Sequence, residues 1–85
     1  GYADAQFNLG LLYANGEGVP KDSVKAFGLF QKAAEQGNVD AQNNVGVMYY
    51  SGEGVPRDEA KAKEWFEKAA AQGNIDAQAN LDAMK

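Results

Sequence analysis

The side chains that carry most protein chemistry are missing or scarce in this chain of 85 residues, which holds no cysteine and no histidine. That removes disulfides, thiolate zinc sites, thiol nucleophiles, and the commonest general base and metal ligand. There is no threonine either, and the only serines are Ser23 and Ser51. Neither has a histidine to activate it or an S-x-x-K context. The GEG turns at 16–18 and 52–54 lack the lysine and hydroxyl of a phosphate loop and the third glycine of a dinucleotide fingerprint. Glu17 with Asp22, and Glu53 with Asp58, do not have calcium-loop spacing and read as solvated loop charge. The residues therefore predict no catalytic group, no metal and no cofactor.

What remains is recognition by shape, apolar contact and amide hydrogen bonds. The formal charge is −4, from 8 basic and 12 acidic residues. The two signs are interspersed, so no basic stripe is available for a phosphate backbone, and nucleic acid is not an expected partner. An anionic membrane surface is disfavoured on the same ground. No apolar run approaches the roughly 20 residues of a membrane span, and the first residues lack the basic and apolar segments of a signal peptide. The compartment is left unassigned. The length suits one small domain, and 45% hydrophobic residues is an ordinary globular content.

The strongest signal is internal repetition. A shift of 36 residues places Asp4, Ala5 and Gln6 on Asp40, Ala41 and Gln42, and then on Asp76, Ala77 and Gln78. Asn8 falls on Asn44 and Asn80, Gly10 on Gly46, and Tyr13 on Tyr49. GEGVP recurs at 16–20 and 52–56, and Ala26, Phe30, Ala33 and Gln36 also return. A period of this size marks stacked repeats. The predicted organisation is one repeat domain over 1–85. It divides into repeat one at 1–36, repeat two at 37–72 and a terminal half-repeat at 73–85.

Each repeat reads as two helices, with five expected at about 3–15, 23–36, 39–51, 59–72 and 75–85. Ala5, Leu9, Leu12 and Tyr13 share a helical face, repeated as Ala41, Val45, Met48 and Tyr49. Ala26, Leu29, Phe30, Ala33 and Ala34 form the second-helix face, repeated as Ala62, Trp65, Phe66, Ala69 and Ala70. Asp22 and Asp58 stand where an N-cap belongs, as do Asn38 and Asn74. Gly37 and Gly73 stand at helix ends. Gly10 and Gly46, inside helices, predict close approach of the partner helix.

Between repeats the structural positions recur, whereas one stripe varies. It runs Asp4, Phe7, Leu11, Ala14 in the first unit and Asp40, Asn43, Val47, Tyr50 in the second. Apolar side chains there are costly to leave in water without purpose. Asn8, Asn15, Asn43 and Asn44 flank the stripe and can hydrogen-bond a peptide backbone.

Leu9, Gly10 and Tyr13, with Ala26, Phe30 and Ala33, resemble the tetratricopeptide pattern. The GEGVP loop, AQFNLGLLY at 5–13, AQNNVGVMY at 41–49 and the KAAxQG runs at 32–37 and 68–73 resemble the Sel-one-like repeat family more specifically. The resemblance implies an all-α, right-handed α-solenoid of antiparallel helix hairpins, with two full repeats and one terminal helix. It also implies that first helices line a concave face, and that the role is a non-enzymatic adaptor or scaffold. The ligand-binding candidates on that face are Phe7, Asn8, Leu11, Asn43, Asn44, Val47 and Tyr50, for a protein or peptide partner. The basic side chains of the tetratricopeptide carboxylate clamp are missing from the stripe. Alternatives are an excised or engineered repeat scaffold without a ligand and, from activities credited to some relatives, a cell-wall-related hydrolase. Asp82 and Lys85 read as a polar terminal cap. Weak self-association is therefore expected through the first repeat.

Overall fold

Single side chains set the helix boundaries. The Asp22 carboxylate accepts from the Lys25 amide at 3.1 Å, and Asp58 from Lys61 at 3.0 Å. The Asn38 and Asn74 side chains accept from Ala41 and Ala77, each at 2.8 Å. These bonds satisfy donors that the first helical turn leaves free. Gly16 and Gly52 end the first helix of each repeat at φ 71° and 73°, a left-handed conformation that glycine adopts without a Cβ penalty.

The computed structural model describes residues 1–84, so Lys85, read above as part of the terminal cap, lies outside them. The described residues form five helices: α1 Tyr2–Asn15, α2 Ser23–Glu35, α3 Val39–Ser51, α4 Glu59–Ala71 and α5 Ile75–Ala83. No strand occurs among the described residues. Each helix packs on the next in chain order, which makes an α-solenoid of antiparallel hairpins.

The core is built from small residues and two rings. Ala26, Ala33, Ala41, Ala62, Ala69 and Ala77 are fully buried and let the helix backbones approach. Phe30 and Phe66 fill the space between the helices of each hairpin. A Cβ built on Gly10 would lie 2.7 Å from the Phe30 ring, and one on Gly46 only 2.5 Å from Phe66. The helix glycines are therefore seats for rings.

The two counterpart faces share a sequence pattern but differ in burial. The Ala41, Val45, Met48, Tyr49 face is buried, but its α1 counterpart is not. Leu9 is 41% exposed where Val45 is 0%, and Leu12 is 39% exposed where Met48 is 7%. The reason is directional. This face packs against the second helix of the preceding repeat, and α3 has α2 there. On α1 the buried residues are Gln6 and Gly10, with Phe7, Leu11, Tyr13 and Ala14 half-buried against the core. At the other end Ile75 is 83% exposed whereas its counterpart Val39 packs on the core, so α5 is less polar outside than its cap reading suggested.

Alanine is a better helix former than glycine by about 1 kcal/mol. Even so, Gly46→Ala is expected to lose about 1–3 kcal/mol by overpacking against Phe66. Gly28→Ala is the control, because a Cβ there meets nothing within 4 Å. It should be neutral or gain up to about 1 kcal/mol. Phe66→Ala should cost about 3–5 kcal/mol. Urea unfolding of the three variants measures all of this, and a stabilised Gly46→Ala variant would contradict the ring-seat account.

Candidate functional site

The variable stripe lies along α1 and α3, and with α5 beside it the repeat forms two related clefts. The first, of about 210 Å³, is lined by Leu11, Ala14, Asn15, Asn44, Val47 and Glu53, with Phe30 and Met48 also contributing. The second, of about 100 Å³, is lined by Val47, Tyr50, Asn80, Ala83, Phe66 and Met84. Phe30 and Phe66, Asn44 and Asn80, and Met48 and Met84 are repeat counterparts. Val47 belongs to both clefts. The ring seated on each helix glycine thus also lines a cleft.

Of the seven candidates from the sequence, Leu11, Asn44 and Val47 meet in the first cleft, and Val47 and Tyr50 meet in the second. Phe7 is half-buried, with its ring centroid 5.7 Å from that of Phe30. It packs within its own hairpin. Asn43 accepts a hydrogen bond from Asn80 at 3.0 Å, which ties α3 to α5. Asn8 is exposed and lines neither cleft.

Two features escaped the sequence reading. Arg57 lies over the Tyr50 ring at 5.3 Å from its centroid, and its Nε donates to the Tyr50 carbonyl at 2.9 Å. Its guanidinium also pairs with Glu59 at 2.6 Å. A cation therefore stands beside the groove, supplied by a loop and not by the stripe. The signal was its place directly after GEGVP. The second feature is a set of amide hydrogen bonds around two buried glutamines, Gln6 and Gln42. Gln72 Nε2 donates to Gln42 Oε1 at 2.8 Å, and Gln42 Nε2 donates to the Ala34 carbonyl at 3.2 Å. Gln36 Nε2 likewise donates to Gln6 Oε1 at 2.8 Å. These bonds link α1, α2, α3 and α4 at the end away from the GEGVP loops. The recurrence of both glutamines at the repeat offset was the available clue.

Chemically, the arrangement offers an apolar floor, amide groups on its edge, and one carboxylate and one guanidinium nearby. Among the described residues no acidic cluster converges to hold a metal ion. No helix among them is long and apolar enough to cross a membrane.

The comparisons with known proteins agree on one architecture. The Sel1 repeat model matches twice, at residues 3–38 and 39–74. No curated protein matches the chain significantly. A Sel1 repeat protein from Oxalobacter formigenes superposes with a TM-score of 0.95 at 46% identity, covering 98% of this chain and 24% of that one. A protective antigen of uropathogenic Escherichia coli with an SLR fold gives 0.95 at 43%, covering 96% and 18%. Helicobacter pylori cysteine rich protein B gives 0.88 at 35%, covering 93% and 59%. The chain thus spans less than two thirds of each of these proteins.

The buried amides yield a paired prediction. Gln42→Leu breaks two inter-helix hydrogen bonds, to the Ala34 carbonyl and from the Gln72 amide, and should cost about 1–3 kcal/mol. Gln6→Leu loses only the Gln36 bond and should cost less. Thermal unfolding of the two variants side by side checks the order, and a Gln6 variant as unstable as the Gln42 variant would contradict it.

Proposed function

The chain belongs to the Sel1 repeat family, whose repeats generally mediate protein–protein interaction, and on that premise we propose that its first-helix groove binds a peptide or protein segment. The observation that supports this most is the pair of related clefts sharing Val47. Val47 and Tyr50 stay 42% and 40% exposed, whereas Val45 and Phe66 in the core are at 0% and 1%. Covering what remains exposed of one such side chain contributes about 1 kcal/mol. Asn15 and Asn44 in the first cleft and Asn80 in the second can bond the ligand backbone. Phe7, Asn8 and Asn43 border that path, with Phe7 holding the Phe30 side of the floor. The mode is apolar burial for affinity with amides for register. The function proposed is that of an adaptor without catalysis.

Weak self-association through the first repeat is the second part of the proposal. Tyr2, Leu9 and Leu12 are exposed on α1, and an uncovered repeat face holds the surface its neighbour would bury.

Selection of random peptides on the purified chain, followed by calorimetry, tests the groove. Val47→Asp and Tyr50→Ala should weaken selected peptides by tenfold or more, a change of about 1.4 kcal/mol. Both should leave the melting temperature nearly unchanged, because each side chain is open to solvent. Peptides that bind both variants as tightly as the parent chain place the ligand elsewhere.

A further inference from the structure

The charges alternate in sign along the sequence, but the helices separate them. α1, α3 and α5 carry Asp4, Asp40, Asp76 and Asp82 and no lysine or arginine. Every basic side chain among the described residues stands on α2, α4 or the loop before one of them. On α2 and α4 the five lysines are balanced by four glutamates. The surface built from first helices is therefore acidic, and the surface built from second helices is close to neutral. The first cleft, of about 210 Å³, shows how that charge is placed. Glu53 lines it together with Leu11 and Val47, and accepts from the Ser23 hydroxyl at 3.4 Å. Asp40 lies on the same stripe seven residues before Val47, about 10 Å along α3. Its carboxylate accepts from the neutral Asn74 amide at 3.2 Å. Neither Asp40 nor Glu53 forms an ion pair among the described residues, and the Arg57 guanidinium is already paired with Glu59 at 2.6 Å. Asn44, half-buried in the cleft wall, makes no side-chain hydrogen bond among the described residues. Finally, α3 packs on both α2 and α4, yet Val47 stays 42% exposed. The stripe is thus open on a helix whose repeat neighbours are both in place.

Building on the groove reading above, we propose that the occupant of this cleft is a basic, extended segment of a partner protein, with an apolar side chain flanked by lysine or arginine. The apolar side chain enters between Leu11 and Val47, over the Phe30 ring. A cation beside it meets Glu53. A second cation about three residues further along, at roughly 3.3 Å per extended residue, reaches Asp40. The Asn44 amide bonds the backbone between them. Carboxylates of one sign in a cleft with apolar walls focus their field on the ligand, so such a segment is also steered to its site. The same arrangement rejects acidic segments and terminal carboxylates, which would face Glu53 with no cation on α1 or α3 to offset the repulsion. Specificity here comes from charge sign, and affinity from the apolar side chain.

The probe is a random peptide library selected on the whole chain at ~0.1 M salt, where charges are screened over about 10 Å. Selected peptides should carry an apolar residue with lysine or arginine within a few positions, and should shift the amide resonances of Asn44, Val47 and Glu53. Resynthesis with glutamine in place of those cations should weaken binding about tenfold, and glutamate should weaken it further. Glu53→Gln and Asp40→Asn keep an oxygen that can accept from Ser23 and Asn74, so circular dichroism should be unchanged. Each should weaken the peptides about two- to fivefold. Both losses should fade at ~1 M salt, where screening acts within about 3 Å, whereas Val47→Ser should weaken binding at either salt. Glu64→Gln and Glu67→Gln on α4 make the same change in net charge and should have no effect. Peptides that need Val47 but bind as well with glutamate for their cations overturn the basic-ligand proposal and leave the groove reading standing. Failure to select any peptide, or peptides indifferent to Val47→Ser, overturns both. Equal losses from Glu64→Gln reduce the effect to net charge and overturn the proposal. Shifts of Asn44 and Val47 that grow with chain concentration, without peptide, assign the groove to a second copy and also overturn it.

Discussion

The structure depends on one contact made twice, a phenylalanine ring laid on a helix glycine. Phe30 on Gly10 and Phe66 on Gly46 bring the two helices of each hairpin closer than any Cβ would allow. Glycine in mid-helix costs about 0.5–1 kcal/mol relative to alanine. A buried ring in close contact returns more than that, since burying such a side chain contributes about 1.5–3 kcal/mol. The same rings form part of the floor of the two clefts. Hairpin geometry and groove shape are therefore one variable, and a change at either ring alters both.

Packing between repeats uses different means. There the buried alanines set the spacing, and polar groups set the register. The Gln72–Gln42–Ala34 chain of hydrogen bonds crosses three helices at one end. At the other end the GEG loop of repeat two meets the start of α2 through Gly54 and Glu53. A buried amide without a partner is costly, so these bonds penalise any slip in register. The α4–α5 interface lacks part of the set. Gln78 donates to Asp82 on its own helix at 3.2 Å, and Lys63 stands where Phe27 does one repeat earlier.

Much of this was legible in the residues because the motifs act locally. Asp22, Asn38, Asp58 and Asn74 cap helices through bonds to amides three residues on, and such signals need no tertiary knowledge. The Gly10 and Gly46 close approach was legible for a related reason, since glycine in a helix needs a cause. The helical spacing of the α1 face shows that it is apolar, not which of its side chains are covered. Ala5, Leu9 and Leu12 have the spacing of Ala41, Val45 and Met48, and only the latter lie under α2. Arg57 over Tyr50 was beyond reach, because a loop side chain is placed by the fold as a whole. The Gln6 and Gln42 pairings required knowing which helices become neighbours.

The division between constant and varied positions then acquires a physical meaning. Ala5, Gln6, Tyr13, Glu17 and Gly18 are identical to Ala41, Gln42, Tyr49, Glu53 and Gly54. In repeat two these residues cluster where α2 and its N-terminus press on α3 and its loop. A substitution there breaks an inter-helix hydrogen bond, displaces a ring or collides with backbone. Leu11 and Ala14 differ from Val47 and Tyr50, and these side chains line clefts that the described residues leave open. Tyr50 can stand where Ala14 does one repeat earlier because the space beside it belongs to solvent and to Arg57. Varying the groove therefore costs the fold little, whereas varying the face toward α2 costs it directly. A surface free to change in this way can be tuned to a ligand without renegotiating the packing beneath it.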